Sequence, residues 1–234
     1  MHVAILGLGP SLKEYAKTVA KTGGRAGYCD EVWGINQIGD IFPCDRVFHM
    51  DDVRIQEARA KLKPGGAMES MLRWMKTYKG TVLTSRSHTD YPCTVDYPLE
   101  DVVNDIGYGY LNNTSAYAVA YAIHLGVKKI SLFGVDFSYA NAHDAEKGRG
   151  SVEFMLGIAA ARGIKIAIPH ASSLMDACEE EKFYGYDTLH IGLSMDAGRV
   201  KLNFTPRAED EIPTAEDIES RYDHSKHPNP LVAS

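Results

Sequence analysis

An α/β fold is predicted, built as a mostly parallel sheet with helices on both faces, and three observations support it. Short apolar runs with β-branched residues recur along the chain, helix-like stretches separate them, and two runs end in glycine turns. Alternation of this kind builds a parallel sheet, whose carboxyl edge is where ligands bind.

The first run is Val3–Leu6, followed by Gly7-Leu8-Gly9-Pro10-Ser11 and a helix over Leu12–Thr22 that Gly23-Gly24 ends. Glu31–Ile35 and Arg46–His49 are the next two strands. Ala67–Tyr78 is helical, with Met68, Met71, Leu72 and Met75 at i, i+3, i+4 and i+7, a stripe that reads as core rather than as a cofactor contact. Thr81–Thr84 is the fourth strand. The polar turn Asn112-Asn113-Thr114-Ser115 then opens a helix over Ala116–Gly126, whose Ala116, Val119, Ala120 and Ile123 form an apolar face.

The strand Lys129–Phe133 leads into a second glycine turn, Gly134-Val135-Asp136-Phe137. Residues 138–150 are polar and contain glycine, which predicts a mobile loop above the sheet's rim. A helix over Val152–Arg162 follows, with Val152, Met155, Leu156 and Ala159 on one face, and then the strand Lys165–Ile168. Thr188–Ser194 and Gly198–Phe204 flank Met195-Asp196-Ala197-Gly198, a small C-terminal β-hairpin expected at the sheet's edge. From Thr205 onward prolines, acids and small polar residues dominate, so 205–234 is expected to be a flexible tail behind a single nucleotide-binding domain, 1–204.

With 234 residues, 44% hydrophobic and 24% charged, the chain is long enough for one substantial core. Its 25 basic residues against 31 acidic give a net charge of −6, which offers no footprint for nucleic acid. Cysteines 29, 44, 93 and 178 are scattered with no C-x-x-C pair, as expected of buried reduced thiols. Met1 runs straight into the first strand, so neither a signal peptide nor a membrane span is expected, and the expected location is the cytoplasm. A homo-oligomer is compatible with this composition.

The glycine turn Gly7, Gly9, Pro10 and Ser11 places backbone amides and a hydroxyl at a helix start, where phosphate is attracted. A dinucleotide fingerprint needs a third glycine where Leu12 stands and an acid where Asn36 stands, which disfavours NAD. No G-x-x-x-x-G-K-[ST] occurs, which disfavours a P-loop NTPase. Strand ends bring further polar groups to the same rim: Asn36, Asp51 and Asp52, Ser85, and Asp136. Asp51 and Asp52 are metal-ligand candidates, for magnesium beside a diphosphate, or caps of the next helix. Asp136 is a ligand or a cap. Asn113, Thr114 and Ser115 exceed what a cap needs and form a second anion or ribose site. His143 is the candidate general base, because imidazole titrates near neutral pH.

Gly7-x-Gly-Pro-Ser-Leu-Lys13, Gly34-Ile35-Asn36-Gln37, Thr114-Ser115 before an alanine-rich helix, Leu125-Gly126-x-Lys-Lys-Ile130 and Gly134-Val135-Asp136-Phe137 together resemble two groups of Rossmann-like proteins over about residues 1–180. One is the bacterial sialyltransferases of glycosyltransferase family 42. The other is the family of the archaeal 6-hydroxymethylpterin diphosphokinase, whose relatives are frequent in phage genomes. The first resemblance implies a nucleotide-sugar donor held by the glycine turn, Asn36 and Thr114-Ser115, with a lid histidine at His143 deprotonating an acceptor hydroxyl. The chain departs from it in carrying Leu8 where those enzymes have asparagine, and in a shorter lid. The second implies ATP, magnesium and pyrophosphoryl transfer, with Asp51, Asp52 and Asp136 as ligands. The expected function is therefore a nucleotide-dependent transferase, a glycosyltransferase first, with a pyrophosphokinase and a non-catalytic nucleotide-binding protein as alternatives.

Overall fold

Seven strands pair side by side in the computed structural model, which describes residues 1–137, 142–176, 183 and 185–220. The elements in chain order are β1 (His2–Leu6), α1 (Leu12–Lys21), β2 (Glu31–Ile35), α2 (Ile38–Ile41), β3 (Arg46–His49), α3 (Val53–Leu62), α4 (Ala67–Thr77), β4 (Thr81–Thr84) and β5 (Thr94–Asp96). They continue with α5 (Leu99–Ile106), α6 (Thr114–His124), β6 (Lys129–Phe133), α7 (Ala142–Ala161), β7 (Lys165–Ala167), β8 (Leu189–Asp196), β9 (Arg199–Pro206) and α8 (Ala215–Ser220). The large sheet runs β5-β4-β3-β2-β1-β6-β7 with every pairing parallel, so the predicted Rossmann-like α/β class is correct.

Parallel strands are buried on both faces, and alternate residues here feed two cores. Val3, Ile5, Trp33, Phe48, Leu83, Ile130 and Leu132 meet α5, α6 and α7 on one face. On the other, Ala4, Leu6 and Val32 meet α1, while Val47 and Val82 meet α3 and α4. Met71, Leu72 and Met75 are buried in that second core and Met68 packs at its margin, so the methionine stripe is structural. Tyr117 and Tyr121, on the side of α6 away from its apolar stripe, also pack inward, where Tyr121 meets Trp33, Phe48 and Tyr97.

All six strands expected in the sheet are present. The seventh, β5, was not expected, nor were α3 and α5. The segment predicted as a loop above the rim is helical from Ala142 onward, which lengthens α7 by about three turns. Asn113 donates from Nδ2 to the carbonyl of Gly148 at 2.8 Å, and Ser151 Oγ joins the amide of Asn112 to the carbonyl of Tyr110, so tertiary bonds hold this polar stretch in helix.

The chain divides into two compact units, Met1–Cys178 and Glu179–Ser234, whereas composition alone puts the boundary at Thr205. The hairpin was expected at the edge of the sheet; instead β8 and β9 form a separate two-stranded antiparallel sheet. Its two-residue turn is Ala197-Gly198, both with positive φ (48° and 79°), as a tight hairpin demands. Residues 205–220 carry local order that their composition did not announce: β9 ends at Pro206, and Thr214 and Asp217 exchange hydrogen bonds at the start of α8. Among the described residues no helix is long and apolar enough to cross a membrane.

Met75 is fully buried between α4 and the sheet. Met75→Ala is expected to cost about 2–5 kcal/mol of stability, measured by urea denaturation. An unchanged midpoint would remove α4 from the core.

Candidate functional site

The strand order reverses direction between β1 and β6, and at such a switch point the two outgoing turns diverge and leave a crevice. A cavity of about 370 Å³ lies there, lined by Gly7, Leu8, Gly9 and Pro10 after β1, Ile35 and Asn36 at the end of β2, Ser115 of α6, and Gly134, Val135, Asp136 and Phe137 after β6. Of the residues expected to bind nucleotide or phosphate, Gly7, Gly9, Pro10, Asn36, Ser115 and Asp136 line it. Ser85 is not among them, being exposed at the end of β4, three strands from β1.

The floor of this crevice is an interlock of the two glycine turns. Gly7 N–H donates to the carbonyl of Phe133 at 2.8 Å and Gly9 N–H to the carbonyl of Gly134 at 2.7 Å. A Cβ on Gly7 would lie 2.4 Å from the Gly134 oxygen, and one on Gly9 would lie 2.5 Å from Asp136 Oδ2, so neither position admits a side chain without displacement. Gly134, at φ +69°, is excluded from bearing one on both conformational and steric grounds.

Asp136 completes the interlock. It is 4% exposed, and its carboxyl group accepts from Ser11 N–H at 2.7 Å and from Ser11 Oγ–H at 2.6 Å, while Ser11 Oγ accepts from Gly134 N–H at 2.8 Å. Asp136 thus closes the start of α1, and it also lines the cavity. The first glycine turn was expected to offer its amides and hydroxyl to a phosphate. The amides of Gly7, Gly9 and Ser11 and the Ser11 hydroxyl are all consumed inside the protein, Ser11 is wholly buried, and the start of α1 already holds a carboxylate where a phosphate was expected. Behind this turn, Ser172 and Ser173 donate from Oγ to the carbonyls of Val135 and Asp136; nothing in their sequence context signals this role.

The opposite wall differs. Asn113 is the N-cap of α6, its Oδ1 accepting from Ala116 N–H at 3.1 Å. Thr114 and Ser115 follow it, each 9% exposed, and neither their amides nor their hydroxyls have a partner among the described residues. An open helix N-terminus with two free hydroxyls beside the cavity is suited to an anion.

At the third wall Asn36 adopts a left-handed conformation, φ 54°, and its Oδ1 lies 3.0 Å from His49 Nδ1. His49 ends β3 and is 2% exposed, and burial pushes its imidazole below its ordinary pKa, opposed by the nearby Asp51 carboxylate. Sequence reading passed over His49, although a histidine closing the buried run Val47-Phe48 was the available signal. Of the two expected metal ligands, Asp52 caps α3, its Oδ1 accepting from Arg54 N–H at 2.8 Å, and Asp51 is exposed. No cluster of three or more metal-ligating side chains occurs among the described residues. His143 falls in the first turn of α7, and its side chain lies outside the described residues.

No family model and no curated protein matches the chain. Among solved structures it is similar to the sialyltransferase CstII from Campylobacter jejuni in complex with the substrate analogue CMP-3FNeuAc, at 19% identity over 71% of this chain and 79% of that chain, with a TM-score of 0.45. The sialyltransferase CST-II in complex with a trisaccharide acceptor and CMP gives 18% identity, 72% and 80% coverage, and a TM-score of 0.45. CstII in complex with cytidine-5'-monophosphate gives 20% identity, 94% and 98% coverage, and a TM-score of 0.43.

Removing the acceptor of two buried donors is costly, so Asp136→Ala is expected to lose about 3 kcal/mol by urea denaturation, and Gly9→Ala about 1–3 kcal/mol. A loss under about 0.5 kcal/mol in both would show that the interlock does not support the fold. His49 binds its proton less readily folded than unfolded, so native stability falls as pH drops through the ordinary imidazole range near ~6.5. His49→Asn should flatten that part of the stability profile between about pH 7.5 and 5.5. A profile identical to that of the parent would assign the effect elsewhere.

Proposed function

We propose that the protein is a nucleotide-dependent transferase that moves a sugar from a nucleotide-sugar donor to an acceptor hydroxyl. One observation carries the reading: the cavity at the switch point has Asn36 on one wall and the open N-terminus of α6, with Ser115, on another. The nucleoside lies toward Asn36, and the phosphate oxygens lie at the free amides and hydroxyls of Thr114 and Ser115. The motif resemblance in the sequence supports the same arrangement, with one change. The glycine turn shapes the floor through its backbone, and α6 takes over the binding of phosphate.

In this reading the acceptor oxygen attacks the anomeric carbon as the bond to the nucleotide's phosphate oxygen breaks. His143 accepts the acceptor's proton. The departing phosphate keeps the electron pair, and its added negative charge is met by the amide dipoles at the start of α6. A pyrophosphokinase needs strand-end carboxylates free to bind magnesium, and of Asp51, Asp52 and Asp136 the last two are engaged as caps, which leaves Asp51 alone for that use. Magnesium is accordingly given no catalytic role here.

Thermal-shift measurement against CMP, UDP, GDP and ATP, with and without magnesium, should show stabilisation by one of the first three without a metal requirement. No stabilisation by any nucleotide would overturn the reading, and stabilisation by ATP only with magnesium would favour the pyrophosphokinase. Ser115→Ala should weaken the stabilising nucleotide about tenfold while leaving the corresponding free nucleoside unaffected. His143→Ala should lower turnover about 10²–10⁴-fold with donor affinity nearly unchanged. Undiminished turnover would remove His143 as the base.

A further inference from the structure

His49 lies behind the crevice wall, outside the cavity lining, yet its contact with Asn36 gives it a role there. Asn36 has a single side-chain partner among the described residues, His49 Nδ1, at 3.0 Å from Oδ1. An amide oxygen can only accept, so a bond to Oδ1 requires the proton on His49 Nδ1. His49 Nε2 is buried without a hydrogen-bond partner among the described residues. A buried N–H left unmade is among the rarest features of folded proteins, whereas an unmet lone pair is better tolerated. Thr84, the register partner of His49 across β3 and β4, is also wholly buried and brings to the same face of the sheet a hydroxyl without a partner among the described residues, able to donate as well as accept. The Asn36 oxygen at Nδ1 and the unmet Nε2 together put the proton on Nδ1 and leave Nε2 as an acceptor.

We infer that His49 is a positioning residue that fixes the Asn36 amide, oxygen toward His49 and NH2 toward the crevice, so that the site selects its ligand through a hydrogen-bond acceptor of the nucleoside. The inference rests on the nucleotide reading for the identity of the ligand, but the orientation of the amide does not depend on it. Asn36 is suited to this use. Its left-handed backbone places it at the turn out of β2, anchored by its N–H to the Phe48 carbonyl at 2.8 Å, and asparagine is among the few side chains that tolerate such a φ. Burial disfavours the protonated form of His49, which favours this arrangement, and the Asp51 carboxylate is the charged group that opposes it.

A cavity that presents an amide donor accepts a ligand edge bearing a carbonyl, a ring nitrogen or a hydroxyl oxygen. The Asn36 wall discriminates against a ligand that offers only a donor there, since two facing donors leave one unpaired. Selection by the nucleoside is thereby separated from binding of phosphate at α6.

The test has two arms. Nitrogen-15 NMR of the imidazoles in the unliganded protein reads the tautomer of His49 directly, and the proton is expected on Nδ1. A proton on Nε2 overturns the inference whether or not any nucleotide binds. In the second arm CMP is titrated calorimetrically into the parent, His49→Phe, His49→Asn, Asn36→Ala and the double variant His49→Phe/Asn36→Ala. His49→Phe should weaken CMP about tenfold, and His49→Asn, which restores a donor at the δ position, should recover most of that. In the Asn36→Ala background His49→Phe should have no further effect, whereas additive losses would show His49 to be merely structural. Should His49→Phe fail to fold, Asn36→Asp decides the point, because a carboxylate presents only acceptors to the crevice. It is expected to weaken CMP more than tenfold, and equal or tighter binding overturns the inference. If the parent binds neither CMP nor the other nucleotides, the proposed function fails and the tautomer arm alone judges the amide.

Discussion

The buried contact between Asp136 and Ser11 governs the architecture of this protein's crevice. It joins residues 125 positions apart through two hydrogen bonds of 2.7 and 2.6 Å to one carboxyl group. Ser11 Oγ extends the connection to the Gly134 amide, so the first helix, the turn after β1 and the turn after β6 form one hydrogen-bonded unit. A parallel sheet leaves the two turns at its switch point diverging, and a crevice opened there must be held to a fixed width if it is to fit a ligand. In this chain a carboxylate spans that divergence. Each buried donor it satisfies would otherwise cost about 1–3 kcal/mol, enough to make the closed arrangement the stable one.

One consequence is a division of labour between two helix starts. Both α1 and α6 aim an N-terminus toward the switch point, and a helix dipole favours negative charge at each. At α1 that preference is satisfied from within the chain. At α6 Asn113 caps a single amide and leaves Thr114 and Ser115 open. The same electrostatics is met inside the fold at α1, while at α6 it leaves unbonded amides facing the crevice wall.

Much of this was readable in the sequence. The six expected strands announced themselves through apolar β-branched runs, and α4, α6 and the second half of α7 through helical periodicity, because burial imposes those patterns, whereas α1 was marked by the glycine turn before it and Gly23-Gly24 after it. β5 escaped notice because Thr94-Val95-Asp96 carries no apolar run and leaves Val95 and Asp96 exposed, whereas β7, equally short and at the other edge, belongs to the apolar run ending at Ile168. The first turns of α7 escaped because glycines at 148 and 150 and a run of polar residues resemble a loop, and their helical state depends on bonds to Asn112 and Asn113 that are distant in sequence. Gly7, Gly9, Asn36, Ser115 and Asp136, singled out from turn and strand-end chemistry, line one cavity. The roles of Ser11 and Asp136 were not legible, for a sequence shows which groups can bind phosphate and not whether they are already bonded to each other.

The glycine interlock also determines where this site is open to change. Gly7, Gly9 and Gly134 meet at separations that exclude even a methyl group, so the floor of the crevice is written in backbone and is closed to gradual alteration. Leu8, between two of these glycines, is 58% exposed on the crevice wall and makes no part of the interlock. A lineage carrying this fold can therefore exchange the residue at position 8 without unsettling its core, which makes that single site a free variable in an otherwise rigid frame.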